Sequence, residues 1–165
     1  MTPIVITLTA IIAVLVLLGV VLLVMLVRLG RSEQNVRPPE LGAHAGNLSP
    51  CPQTPNCIST QAPMEAGYHR AEPIVVTESP DEIFRRIRAW VDSQPRGRVV
   101  EADDSRYLRA EFRSTLFGFV DDLEILAVEE EEKVVLHVRS AARVGRGDMG
   151  VNRKRYNAIR AAVGG

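Results

Sequence analysis

The chain has 165 residues, with 20 acidic and 20 basic side chains, so its formal net charge is zero. A neutral chain in which 5% of residues are aromatic lacks the basic surface of a nucleic-acid-binding protein, so no nucleic-acid partner is expected. Every charged residue follows residue 27, which leaves roughly 115–125 residues to fold in water, enough for one compact core.

The N-terminal segment, residues 4–27, is apolar and uncharged, and it predicts a membrane-spanning helix. A span needs about 20 apolar residues, whereas a cleaved signal peptide has an apolar region of about 7–15 residues behind a basic start. No basic residue precedes this run, and Arg28 follows it directly. We therefore expect a single-pass cell-membrane anchor over residues 1–30, with the lipid bilayer as its partner. A cleaved signal peptide is the rival interpretation.

Two signals disagree about the side of the membrane on which the rest of the chain lies. Arg28, Arg31 and Arg37 follow the helix, and the positive-inside rule then places the C-terminal part in the cytoplasm. The cysteines Cys51 and Cys57 favour an oxidising compartment outside the cytoplasm. The side of the soluble part stays open at this point.

Beyond the anchor, the composition predicts a linker and one folded domain. Residues 31–46 are mostly polar and contain two prolines and two glycines, which is typical of a linker. Residues 47–63 contain four prolines and both cysteines, which excludes a regular helix or a central strand. The folded domain is expected over residues 47–165, starting with this Cys/Pro-rich loop.

The first regular elements of the domain are a strand and a helix. Residues 73–77 are β-branched and predict a short strand. Ser79 and Pro80 suit the N-cap and first position of a helix, and Glu82 completes a capping box. Apolar residues recur with helical spacing from Ile83 to Val91, and the helix is expected to stop before Pro95.

Four strands are predicted next, at residues 99–102, 107–113, 119–126 and 134–139. A final helix is predicted at residues 148–163. Turns are expected at residues 103–105 and 129–132. This order indicates an α+β fold: an antiparallel sheet of about five strands, with two helices packed on one face. Short links favour a meander, and a helix-grip-like curl of the sheet around the last helix is an alternative.

Three motifs in order resemble one family: NLSPCPQTPNCIST, FRSTLFGFVDDLEI and HVRSAARVGRGDMGVNRKR. Together they look like the family of domain of unknown function 1499, whose bacterial members are uncharacterised and membrane-anchored. The resemblance runs from about Leu48 to Val163. The chain departs from it at Ala141 and Ala142, where a second serine is common. The resemblance implies a domain boundary and no activity.

The two cysteines, Cys51 and Cys57, are separated by five residues. A disulfide that closes a small loop is expected if the domain lies outside the cytoplasm. Two free thiols are the second alternative. The third is half of a metal or redox site, for which His69 is the nearest candidate as a third ligand. We favour the disulfide and expect no metal and no cofactor.

An acidic strand provides the next candidates. Alternation places Asp121 on one face with large apolar residues, and Asp122 and Glu124 on the other. Asp121 then needs a charged partner or a shifted pKa. We favour a structural pair with an arginine from the loop after Arg139, over a catalytic or ligand-binding role. We expect Asp122 and Glu124 to join a solvated face of cross-strand ion pairs.

A glycine- and arginine-rich stretch, residues 139–155, resembles an anion site. Glycines allow close backbone approach, and a helix that begins after Asp148 offers free N–H groups. Internal pairing of these basic residues is the competing interpretation. The candidate ligand-binding residues are Asp121, Asp122, Arg139, Ser140, Arg143, Gly145, Asp148, Asn152 and Arg153.

Three functions compete on this basis. We rank first a membrane-anchored binding or assembly module, whose partner is an anionic small molecule, a lipid headgroup or a protein. A purely structural membrane-associated domain ranks second. A metal-assisted hydrolase that uses the Asp/Glu strand cluster with His137 ranks third, because no known catalytic motif is present.

Overall fold

The structure is a computed structural model that describes residues 3–103 and 106–164. The chain divides into two units, Met1–Val36 and Arg37–Gly165. The first unit is the helix α1, Pro3–Gln34. Its segment Pro3–Arg28 is long and apolar enough to cross a bilayer, and an N-terminal signal sequence would have the same two properties.

The second unit is built on a six-stranded antiparallel sheet. Its strands are β1 Cys57–Ser59, β2 Ile74–Val76, β3 Gly97–Asp103, β4 Tyr107–Arg113, β5 Val120–Glu130 and β6 Lys133–Ala142. The neighbour order is β1-β6-β5-β4-β3, and β2 pairs with β6 alongside β1. Strands β3 to β6 therefore form the predicted meander, and the α+β class is confirmed.

Two helices cover one face of this sheet, as predicted. They are α2, Pro80–Ser93, and α3, Val151–Val163. Ser79 caps α2, because its hydroxyl accepts a hydrogen bond from the Glu82 N–H. The side chains of Phe84 and Ile159 on these helices join buried residues of β4, β5 and β6 in the main apolar core. Burial of these apolar stripes fixes the helices to the sheet.

Two elements were missed, and the bounds of β2, β3, β5, β6 and α3 differ from the prediction. Strand β1 was missed, because it has only three residues and gains its strand geometry by pairing with the edge of β6. A short 3₁₀ segment, Met64–His69, was also missed. Strand β5 continues to Glu130, so the β5–β6 turn is shorter than expected. The predicted turn at 103–105 includes Asp104 and Ser105, which lie outside the described residues.

The second half of the linker expected over residues 31–46 is part of the folded domain, because residues 37–46 belong to the compact second unit. Leu41 is 3% exposed, and the Gly42 N–H donates a hydrogen bond to Glu124 Oε1 at 2.8 Å. Leu48 packs against Tyr107 and Leu126. Residues 37–56, called here the covering segment, thus lie over the sheet face opposite the helices.

Leu41→Ala tests this boundary. The change should lower the free energy of unfolding by about 2–4 kcal/mol, because it removes a buried side chain. The measurement is urea denaturation of the full chain in detergent micelles, followed by Trp90 fluorescence. Val36→Ala is the control, because Val36 is 68% exposed and lies in the first unit. Equal unfolding midpoints for the two variants would contradict the assignment.

Candidate functional site

The sheet face beneath the covering segment carries charged residues. Alternation along β4, β5 and β6 places six residues of the sheet and its following loop here: Arg109, Glu111, Asp122, Glu124, Arg139 and Arg143, called the charge cluster. Cross-strand register sets Glu124 between Arg109 and Arg139. The predicted ion pairing is present. The predicted solvation is wrong, because the covering segment buries this face and Glu124 is 0% exposed.

Asp122 is held by two arginines. Its Oδ1 accepts a hydrogen bond from Arg109 Nη1 at 2.9 Å, and its Oδ2 accepts one from Arg143 Nε at 2.6 Å. Arg143 Nη2 also donates to Glu111 Oε1 at 2.6 Å. Burial alone would raise the pKa of Glu111, but the guanidinium groups of Arg143 and Arg109 outweigh burial and hold that pKa below its ordinary value. Both carboxylates are thus neutralised internally.

Glu124 joins the sheet to the covering segment. Its Oε2 accepts from Arg139 Nη1 at 3.0 Å. Its Oε1 accepts from the Tyr107 hydroxyl at 2.9 Å and from the Gly42 N–H at 2.8 Å. Burial, and then the charge of Glu124, raise the pKa of Tyr107, so this hydroxyl stays a donor. The fully buried carboxylate therefore has three donors, one of them from the covering segment.

Asp121 lies on the helix face of the sheet, as predicted, and is separated from the charge cluster. Its Oδ2 accepts from Arg155 Nη2 at 2.9 Å. Burial raises the pKa of Asp121, although the charge of Arg155 opposes this. The expected structural pair with an arginine is present, but Arg155 lies within α3 and not in the loop after Arg139. Asp121 and Asp122 therefore do not form one site.

The polar candidates around the start of α3 make internal hydrogen bonds. Ser140 Oγ donates to Asn152 Oδ1 at 2.7 Å, and Asn152 Nδ2 donates to the Asn56 carbonyl at 3.0 Å. The Gly145 carbonyl accepts from Asn56 Nδ2 at 2.8 Å. Arg153 donates to the carbonyl of Arg70 at 2.9 Å. These contacts fasten the β6–α3 loop and the start of α3 to residues that flank β1 and the 3₁₀ segment.

Asp148 occupies the N-terminus of α3. Its carboxylate accepts hydrogen bonds from the N–H groups of Gly150 at 2.9 Å and Asn152 at 3.0 Å, and from the Tyr68 hydroxyl at 2.8 Å. Burial would raise the pKa of Asp148, but these hydrogen bonds lower it below its ordinary value. An external anion would have to compete with this carboxylate, so the helix N-terminus is not an open anion site.

The cysteines Cys51 and Cys57 are joined by a disulfide, with sulfur atoms 2.02 Å apart. His69, the third ligand considered for a metal site, uses its Nδ1 in a hydrogen bond with the Cys57 carbonyl at 2.8 Å. Across residues 3–103 and 106–164, no group of three His, Cys, Asp or Glu side chains is placed to hold a metal ion.

The hydrolase cluster is not assembled. His137 Nδ1 lies 3.4 Å from the Thr60 hydroxyl, and burial lowers the pKa of this histidine. Asp122 and Glu124, on the same face, are both bound by arginines. Asp121 is on the opposite face of the sheet. The carboxylates of this cluster therefore offer neither a free metal ligand nor a free general base.

A cleft of about 430 Å³ opens between the charge cluster and the covering segment. Asp122, Arg139 and Arg143 line it from the sheet side, and Gly145 lines it from the β6–α3 loop. Its other wall contains Leu41, Pro50, Cys51 and Asn56. Four of the nine predicted ligand-binding residues thus meet in one cleft.

Arg139 is the unusual group of this cleft. Its side chain is 6% exposed, and Nη1 bonds to Glu124. Its Nε is buried and has no hydrogen-bond partner in the described part of the chain. Arg139 was among the candidate residues predicted from the sequence, but the cleft was not predicted. The available signal was the run of alternating charges in three consecutive strands, which is unusual for a sheet face left open to water.

Comparison with known proteins places this domain in a family without adding an activity. The model of the family described as "Protein of unknown function (DUF1499)" matches residues 47–163. This range begins inside the covering segment and ends with α3. No curated protein matches the chain.

Two arginines of the same loop provide a test of the charge cluster. Arg143→Ala should lower the free energy of unfolding by about 3–5 kcal/mol, because it leaves Asp122 and Glu111 buried with fewer positive partners. Arg146→Ala should leave the unfolding midpoint nearly unchanged, because Arg146 is exposed. Chemical denaturation of the full chain measures both. Similar losses for the two variants would mean that the cluster does not hold the sheet and covering segment together.

Proposed function

The chain belongs to the DUF1499 family, and we propose that its domain is a membrane-anchored binding module that holds an anionic group in the cleft at Arg139. The observation that carries this proposal is the buried guanidinium with an unpaired Nε on the wall of a cleft. A guanidinium has five N–H donors in a planar fork that matches carboxylate and phosphate. An unpaired buried donor costs about 1–3 kcal/mol, and an anion that draws this guanidinium toward the cleft would recover that cost.

The charges around the cleft support an anion. Five arginines and three carboxylates form one connected set of ion pairs with an excess of two positive charges: Arg37, Arg98, Arg109, Arg113 and Arg143 with Glu101, Glu111 and Asp122. Arg139 and Glu124 form a separate, neutral pair beside this set. Glu40 lines the cleft and offsets one of these charges. The remaining field favours a ligand with at least one negative charge.

The size and lining of the cleft support a small ligand or a headgroup. Pockets for small molecules usually enclose about 300–1,000 Å³ and combine apolar walls with a few polar groups. Here Leu41 and the prolines of the covering segment supply the apolar wall, opposite Arg139 and Arg143. A carboxylate or phosphate attached to a short apolar group would suit both walls.

The disulfide supports a domain outside the cytoplasm, where such bonds persist. The flanking charges predicted the opposite side. However, Arg37 belongs to the folded unit and pairs with Glu101 at 3.3 Å, so it is not a simple flanking charge of α1. Retention of α1 as a span would then hold the cleft at the outer surface of the membrane.

Val144→Glu tests the proposed anion site. Val144 lines the cleft and is 39% exposed, so the new carboxylate can occupy the site without disturbing the core. Isothermal titration of the full chain with inorganic phosphate, and separately with succinate, should show saturable binding. Val144→Glu should weaken it by about tenfold or more, the equivalent of one charge-assisted hydrogen bond.

Val151→Glu is the matched control for this titration. Val151 is 43% exposed on α3 and does not line the cleft, so its variant changes the net charge equally but should bind like the unmodified chain. Absence of saturable binding to both probes, or equal weakening by both variants, would overturn the proposed site.

Ala161→Cys tests the side of the membrane. This exposed position lies in the last turn of α3, far from the disulfide in the sequence. A membrane-impermeant maleimide should label the new thiol in intact cells without reduction, while Cys51 and Cys57 stay unlabelled. Labelling of residue 161 only after lysis would place the domain in the cytoplasm instead.

A further inference from the structure

The turn between β4 and β5, residues 114–119, exposes three large apolar side chains. Leu116 is 74% exposed, Phe117 50% and Phe119 45%. The rings of Phe117 and Phe119 stack with centroids 5.4 Å apart. Exposed apolar clusters of this kind mark contact sites for partners or membranes.

The backbone of this turn is closed on itself. The Ser114 N–H donates to the Phe119 carbonyl at 2.8 Å, and the Phe119 N–H donates to Ser114 Oγ at 2.9 Å. Gly118 has φ +69°, a conformation that favours glycine, and its N–H donates to the Ser114 carbonyl at 3.2 Å. The apolar side chains are thus held outward by a defined turn, and the turn's backbone does not offer a free edge to an incoming peptide strand.

Several arginines share one end of the sheet with this turn. The β4–β5 turn, the start of β3 and the β6–α3 loop all lie at one end of the sheet, because Gly97 pairs with Phe112 and Asp121 pairs with Ala142. We call this group of side chains the docking surface: Leu116, Phe117, Phe119 and Met149, with Arg96, Arg98, Arg113 and Arg146. Met149 is 97% exposed and Arg98 is 71% exposed.

The exposed charges are distributed unevenly between the two ends of the sheet. The acidic run at residues 129–132 and Asp103 lie at the end opposite the docking surface, in the β5–β6 and β3–β4 connections. At the docking end, Asp92 is an exposed acidic residue near the end of α2, while Asp148 is bound to α3 and Tyr68. The apolar tip is therefore framed mainly by positive charge.

We propose that the docking surface rests on the headgroup layer of an anionic bilayer. Phe and Leu side chains beside basic residues are typical of surfaces that insert at the boundary between headgroups and acyl chains, and each arginine near an anionic surface strengthens attachment by about fivefold. Four exposed apolar side chains at one end of the sheet offer a small area for a stable protein interface, which usually buries about 1,600 Å². None of these residues lines the cleft at Arg139, and the two proposals are tested by separate measurements.

Tryptophan fluorescence of the full chain in lipid nanodiscs tests this contact. Trp90 is the chain's single tryptophan, so a Trp90→Phe background gives a clean signal for Phe117→Trp. Nanodiscs of phosphatidylcholine, or of phosphatidylcholine with phosphatidylglycerol, are prepared with and without brominated acyl chains. The tryptophan at position 117 should be quenched by bromine in the anionic discs, and much less in the neutral ones.

Val75→Trp in the same background is the matched position, because Val75 is 55% exposed on β2 near the other end of the domain. It should not be quenched in either lipid mixture. A tryptophan at position 117 that is unquenched in anionic discs, or quenched no more than one at position 75, overturns the proposal and favours a protein as the occupant.

Substitution of one arginine distinguishes docking through this surface from the closeness to the bilayer that the membrane anchor alone imposes on the domain. Arg146→Gln should lower the ratio of docked to free domain about fivefold in anionic discs. Arg160→Gln removes the same charge from an exposed position near the other end of α3 and should leave the ratio unchanged. Equal effects of the two variants overturn a specific role for the docking surface.

Discussion

Glu124 imposes the strongest physical constraint on this domain. It lies in the middle of β5 with no exposed surface, and a carboxylate in that position is costly unless donors surround it. Arg139 and Tyr107 provide two donors from neighbouring strands, and Gly42 provides the third from the covering segment. The covering segment is therefore required by the charge as well as by the apolar contacts of Leu41 and Leu48. The sheet has two buried faces, one apolar and one ionic.

An ionic face has consequences for chemistry. Its carboxylates are already bound by guanidinium groups, so they are poor metal ligands and poor bases. Apolar residues of similar volume can match the stability of a buried ion-pair layer. Stability alone therefore gives no reason for three buried arginines, whereas a ligand that needs a guanidinium does. Arg139 is the member of the cluster with an unpaired buried nitrogen, and this is why the proposed binding centres on it.

The sequence predicted the elements whose signals are local. Strand β4 has the predicted bounds, residues 107–113, and α2 begins after the Ser79 cap, because alternation and capping depend on near neighbours. Strand β1 and the covering segment were not predicted as part of the sheet, because their geometry depends on partners far along the chain. Gly42 and Glu124, for example, are 82 residues apart.

The same distinction explains the outcome at the candidate site. Alternation correctly separated Asp121 from Asp122 and Glu124. It did not predict that one charged face is buried, since burial comes from residues that read as a linker. Alternation also did not show which charged residues already have partners within the domain. Arg153 and Arg155 donate hydrogen bonds to other residues of the domain, and Asp148 occupies the N-terminus of α3, which had suggested an anion site.

The β6–α3 loop links the two proposed surfaces. Arg143 and Arg146 are three residues apart but differ in exposure. The Arg143 side chain belongs to the charge cluster and is 5% exposed, whereas Arg146 is exposed to solvent. Val144 and Gly145, between them, line the cleft. A bilayer that contacts Arg146 would therefore lie beside the cleft, so an anionic headgroup could enter it without leaving the membrane surface. If both proposed surfaces bind as inferred, we expect the cleft to take its anionic group from the bilayer.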